Sequence, residues 1–237
     1  MQAHRRGAES IPARRRPSAS STPSTSESRP ADDAPESTPP PDDEPAPAPP
    51  EETSESFSVT AGELERIWPE ANPADIERFT GPLNETLRRY GMDTPLRAAH
   101  FLAQVGHESG QLKWKEELWG PTEAQQEYEG REDLGNTEPG DGRRFKGRGL
   151  IQLTGRANYR KYGTHMGMNL TRGGNPEKVA QPRLAVDVAG WYFDRRVPYP
   201  KIDADDVRGV TRAVNGGLNG LDDRQAILRR AKRALSA

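Results

Sequence analysis

From Phe57 onward, apolar residues recur at spacings of three and four, the period at which an α-helix lays them along one face. Thr60 and Glu63 stand at capping-box spacing before a short helix through Leu64 and Ile67. Asn72 and Pro73 open a second helical segment, which Gly81 and Pro82 are expected to interrupt before Leu83, Leu87 and Tyr90 resume it and Gly91 stops it. The clearest pattern follows Thr94 and Pro95. There Leu96, Ala99, Leu102, Ala103 and Gly106 predict a buried helix whose last turn carries His107 and Glu108, with Gly110 turning the chain away. Leu184, Val188 and Trp191 mark a helix from Pro182 to Phe193, and Asp222 is expected to cap a last one through Ile227, Leu228, Ala231 and Leu235. Between these, residues 130–149 read GREDLGNTEPGDGRRFKGRG, too rich in glycine for a continuous helix, and predict loops around short strands. The fold expected is mainly α: a helical domain with a small irregular β part and a central cleft shaped by loops.

Composition divides the chain. Residues 1–56 hold 12 of the 22 prolines, and their only apolar residues larger than alanine are Met1 and Ile11, so they cannot bury a core. This segment is expected to be a disordered tail or semi-rigid linker rich in Pro, Ser, Thr and acidic residues, with residues 57–237 forming one domain. Of 34 Lys and Arg against 36 Asp and Glu, the tail takes six and eleven, leaving the domain 28 against 25, a balance of +3. The absence of cysteine excludes a disulfide scaffold and a thiolate metal site, and the near-neutral total argues against a strongly basic nucleic-acid binder. No apolar run reaches the roughly 18 residues of a membrane helix, and the basic N-terminus lacks the apolar core of a standard secretion signal.

Glu108, at the end of a small-residue apolar helix, is the type of group that a general acid requires, a carboxyl drawn partly out of water at the edge of a cleft. A second acid is available downstream, where Glu127, Glu129, Glu132, Asp133, Glu138 and Asp141 compete and spacing alone does not choose. Two carboxylates facing a cleft are the minimum for glycoside hydrolysis. His100 and His107 share a helical face without a third ligand, so no metal is expected. Gly147 and Gly149 flank Arg148 without a phosphate-loop pattern. Trp114, Trp119, Tyr128 and Tyr159 suit either a core or the stacking of sugar rings.

Three segments in order, FLAQVGHESG, YEGREDLGNTEPGDGRRFKGRGLIQLTGRANY and AVNGGLNGLDDR, resemble glycoside hydrolase family 19, in particular its bacterial and phage chitinase-like and endolysin-like members. The resemblance spans roughly residues 57–237 and implies a lysozyme-like fold and inversion at the anomeric carbon. It implies Glu108 as general acid and Glu129 as general base, with Glu132 or Glu138 as alternatives. It implies Thr154 and Asn215 as positioners of the attacking water, and Gln152 and Asn158 as sugar-binding residues. Two departures stand out: plant members use disulfides, and they carry a carboxylate where this chain has Asn219, which makes their charge network an unsafe model for Arg224.

The expected activity is therefore hydrolysis of β-1,4 bonds next to N-acetylglucosamine-type sugars in bacterial peptidoglycan, with chitin as the alternative substrate. A lytic transglycosylase and a non-catalytic saccharide-binding protein are the competing classes. The expected partner is the polysaccharide, with no cofactor, nucleic acid or membrane insertion, and the protein is expected to be a monomer. It is expected to be made in the cytoplasm and to reach the cell wall by lysis, virion delivery or a non-classical route.

Overall fold

The computed structural model describes residues 57–236, so the reading of residues 1–56 as a tail lies outside the described residues. Helices follow in the order α1 (Ala61–Ile67), α2 (Pro73–Arg89), α3 (Pro95–Ser109), α4 (Glu123–Gln126), α5 (Asp141–Arg144), α6 (Arg156–His165), α7 (Pro182–Arg196), α8 (Tyr199–Asp203), α9 (Val207–Asn215) and α10 (Leu221–Ala234). Short 3₁₀ turns occupy Glu132–Leu134 and Pro176–Ala180. Local signals hold where they are strongest. Thr60 and Glu63 form a reciprocal capping box, Asn72 and Thr94 cap α2 and α3 ahead of a proline, and Gly110 ends α3 in the left-handed conformation.

Helix α3 is the centre of the molecule. Every residue from Ala98 to Gly106 is buried, and the helix packs most extensively on α10 and further on α7, α8 and α9. The main core gathers apolar faces of α1, α2, α3, α7, α9 and α10, with Phe101 set edge-on against Phe193 at 5.4 Å. A second cluster of Phe145, Leu153, Tyr159, Tyr162, Val188 and Trp191 lies under the loop region. Among the described residues no helix is long and apolar enough to cross a membrane.

Three expectations need correction. Helix α2 runs unbroken through Gly81 and Pro82. The proline removes one N–H, but burial of Ile76, Phe79, Leu83 and Leu87 along one face outweighs a penalty of about 3 kcal/mol. The glycine-rich middle contains no strands among the described residues: only isolated bridges join Glu116 to Arg148 and Arg148 to Leu153, with helical turns around them. Asp222 does not cap α10; Gly220 occupies that position in the left-handed conformation, and Asp222 lies in the first turn.

Gly106 shows why α3 is built from small residues. A Cβ there would lie 2.3 Å from Nε1 of Trp68, which crosses the helix and donates to the Leu102 carbonyl at 3.3 Å. Gly106→Ala gains roughly 1 kcal/mol of helix propensity but overpacks a closed contact at about 1–3 kcal/mol. We expect a net loss of stability in denaturant titration; a more stable variant would show that Trp68 moves aside freely.

Candidate functional site

Burial and charge meet at the end of α3. Glu108 is 8% exposed, and one of its carboxylate oxygens accepts from the guanidinium of Arg224, which is 1% exposed and reaches across from α10. The same guanidinium donates to Gln104 Oε1 at 2.6 Å and to the backbone carbonyl of Asn219 at 3.2 Å. Gln104, one turn before Glu108 on the same face, donates in turn to Thr211 Oγ1 at 3.3 Å. The candidate acid is thus paired with a buried cation, whereas the sequence pointed to a carboxyl partly withdrawn from water at a helix end. Asn219 takes part through its backbone, so the arginine is held without the carboxylate found in plant members.

A parallel contact lies beside it. His107 Nδ1 is 2.6 Å from Asp223 Oδ2, joining the residue before Glu108 to the residue before Arg224. Burial and the nearby Arg224 charge push the His107 imidazolium below its usual range despite Asp223. Gly220 adopts φ +68°, and a Cβ there would lie 2.2 Å from the His107 ring, so this turn closes against α3 only with glycine. His100 is buried and pairs with Asp205. No group of three or more metal-ligating side chains occurs among the described residues.

After α3, Gly110, Gln111 and Leu112 all adopt positive φ, and the chain turns sharply into the strip that carries Glu116 and Glu117. These neighbours take different partners. Glu116 joins Arg148 at 2.8 Å and Lys146 at 3.1 Å. Glu117 accepts from the Gly147 amide at 3.0 Å and from Gln125 Nε2 at 3.1 Å. The Cα of Gly147 abuts Gln152, since a Cβ there would lie 2.8 Å from Gln152 Oε1. Gln152 itself is held at φ +55°, a conformation costly for a side-chain-bearing residue, and its amide donates to the Gly149 carbonyl at 2.9 Å.

The remaining predicted residues separate by environment. Thr154 is half-buried and donates its hydroxyl proton to the Gln152 carbonyl at 2.9 Å, leaving its lone pairs to accept. Asn158 Nδ2 donates to the Thr154 carbonyl at 2.8 Å, so it holds that turn in place. Asn215, the last residue of α9, has a buried Nδ2 with no hydrogen-bond partner among the described residues, a donor whose desolvation costs about 1–3 kcal/mol until water or ligand accepts from it. Glu129 is exposed, and its two oxygens accept from the amides of Gly140 at 2.5 Å and Gly142 at 2.9 Å, tying down the turn into α5. Glu138 pairs with Arg156 at 2.5 Å. Tyr159 belongs to the core, with its hydroxyl donating to the Lys146 carbonyl, whereas Trp114 is 44% exposed, with the Lys113 ammonium 5.0 Å from its ring centre.

No family model matches the chain. A glycosyl hydrolase family 19 domain-containing protein of Haemophilus influenzae is 33% identical over 193 residues, covering 69% of this chain and 90% of the relative. An endochitinase of Arabidopsis thaliana is 32% identical over 120 residues, half of this chain and 39% of the plant protein. Among solved structures, chitinase C from Streptomyces griseus superposes with a TM-score of 0.61 at 26% identity, over 76% of this chain and 78% of the other. A class IV family 19 chitinase from Zea mays has the same fold at 20% identity, with a TM-score of 0.58 over 76% of this chain and 93% of its own. With the relative from Haemophilus influenzae matched over nine-tenths of its length, this chain belongs to glycosyl hydrolase family 19.

Proposed function

We propose that the protein hydrolyses β-1,4 bonds next to N-acetylglucosamine-type sugars of bacterial peptidoglycan, with inversion at the anomeric carbon. Glu108 is the general acid. The observation that carries this reading is its placement, a carboxyl nearly closed off from water in the last turn of the buried helix α3.

For the base, the surroundings favour Glu117 over Glu129. Glu129 is occupied as an anchor for the Gly140–Gly142 turn, and taking up a proton would weaken two charge-assisted bonds there. Glu117 follows Glu108 closely in the chain, and the Gly147 amide that it binds belongs to a glycine backed against Gln152. Asn215 offers an N–H and Thr154 offers lone pairs, a complementary pair for orienting one water molecule. Chitin is the second reading, favoured by the chitinase from Streptomyces griseus and the endochitinase from Arabidopsis thaliana among the similar proteins.

Proton NMR of the first product from a β-linked oligosaccharide tests the mechanism. We expect the α-anomer; a β-anomer would mean retention and remove the water-positioning roles, and a 1,6-anhydro product would indicate a transglycosylase. Glu117→Gln should lower turnover by roughly 10²-fold or more, with a much smaller effect for Glu129→Gln. The reverse order would return the base to Glu129. Digestion of purified peptidoglycan and of chitin in parallel separates the two substrates.

A further inference from the structure

Glu117, the proposed base, is held by a neutral donor on each carboxylate oxygen. Oε2 accepts from the Gly147 amide at 3.0 Å, and Oε1 accepts from Nε2 of Gln125 at 3.1 Å. A carboxylate oxygen has two lone pairs, so each keeps one for the proton of a water molecule, and the half-buried side chain is open enough for that water to arrive. Adjacent Glu116 is held by the cations Lys146 and Arg148 instead.

Gln125 lies in the short helix α4 and is 6% exposed. Its hydrogen bonds fix which way the amide points. Oε1 accepts from the backbone N–H groups of Gly120 at 3.1 Å and Thr122 at 3.0 Å, while Nε2 donates to the Leu118 carbonyl at 2.7 Å and to Glu117. A flipped amide would set its NH2 group against donors and its oxygen against acceptors, so these partners admit a single orientation. The reciprocal cap between Thr122 and Gln125 folds residues 118–125 around the side chain. Such a cap uses only the glutamine oxygen. Here the nitrogen is engaged as well, and it is directed at Glu117.

The segment is moored on its far side. Asn136, fully buried, donates to the Tyr128 carbonyl at 2.9 Å and accepts from the Arg156 amide at the start of α6 at 2.8 Å, while Glu129 binds the Gly140 and Gly142 amides. Tyr128, its ring tilted against Trp119, lies near enough to Glu117 to feel its charge: burial and that carboxylate push the phenol above its ordinary range.

We propose that Gln125 is a positioning residue, which fixes the Glu117 carboxylate in the orientation that receives a proton from the attacking water. This rests on the reading of Glu117 as general base. Glu129 and Asn136 then act one step further back, by holding the segment that carries Gln125.

The test is a double-mutant cycle in the full chain, with kcat and KM measured on soluble fragments of whichever glycan, peptidoglycan or chitin, it cleaves faster. Gln125→Glu keeps an oxygen for Gly120 and Thr122 but has no NH2 group to give to Glu117. It should lower kcat roughly tenfold or more with KM within about twofold, because substrate still binds while the base is misaimed. In the Glu117→Gln background the same substitution should lower kcat no further, since no carboxylate is left to orient. Effects that multiply, a rise in KM with kcat unchanged, or full activity in Gln125→Glu overturns the positioning role and leaves Glu117 as base. Near-normal activity in Glu117→Gln removes the base, and the role of Gln125 with it. Folding of the 118–125 turn is followed through the amide NMR signals of Gly120 and Thr122. If Gln125→Glu loses them, Gln125→Ala, which leaves space for water at those amides, takes its place in the cycle with the same expected outcomes.

Discussion

Glu108→Gln is expected to lower turnover by about 10²- to 10⁴-fold, because the amide keeps the shape of the side chain but has no proton to give to a leaving sugar oxygen. The carbonyl oxygen of glutamine still accepts from Arg224, so the variant should fold, with some loss of stability where a buried guanidinium has lost its counterion. Turnover is therefore measured per folded molecule, with circular dichroism confirming the helical content. Activity within a few-fold of the original would remove Glu108 from the reaction.

Removing Arg224 should have the largest effect on stability. The residue is almost wholly buried and satisfies Glu108, Gln104 and the Asn219 carbonyl together. Arg224→Met leaves a carboxylate and an amide oxygen in a space from which water is excluded. Breaking a buried pair from one side costs about 3–5 kcal/mol, which for a domain of this size corresponds to roughly 10 °C in Tm. The double variant Glu108→Gln/Arg224→Met should recover part of the loss, since no uncompensated charge remains. If the double variant is no more stable than Arg224→Met, the arginine acts through packing of its stem and not through its charge.

The parts legible in the sequence are those determined by neighbours in the chain. Capping of α1, α2 and α3 and the glycine stop after Ser109 rest on residues within a turn of the helix end, so residue type alone predicts them. Continuity through Pro82 was hidden because it depends on what α2 packs against; α2 lies along α7, and that burial is not visible locally. Helix α6 passed unnoticed because RANYRKYGTH buries only Tyr159, Tyr162 and Gly163, too few for a clear period. The expected strands of residues 130–149 do not form, since positive φ at Gly130, Gly135, Gly140 and Gly149 repeatedly turns the chain out of extended geometry. At the candidate site, Glu108 stands out at a helix end, but its partner Arg224 lies 116 residues away, a separation that no periodicity reveals. Glu117 sat in a pair of adjacent glutamates, and only the structure distinguishes the one that holds Lys146 and Arg148 from the one that holds the Gly147 amide.

That adjacency makes the region sensitive to length as well as to identity. Glu116 stands in an isolated bridge to Arg148 just past the turn and bend of residues 111–115, so loss or gain of one residue there is expected to displace both glutamates from their partners. The composition of the protein would hardly change. An insertion that spares every named residue is therefore expected to lower turnover as much as loss of the proposed base itself, because it separates that group from its place.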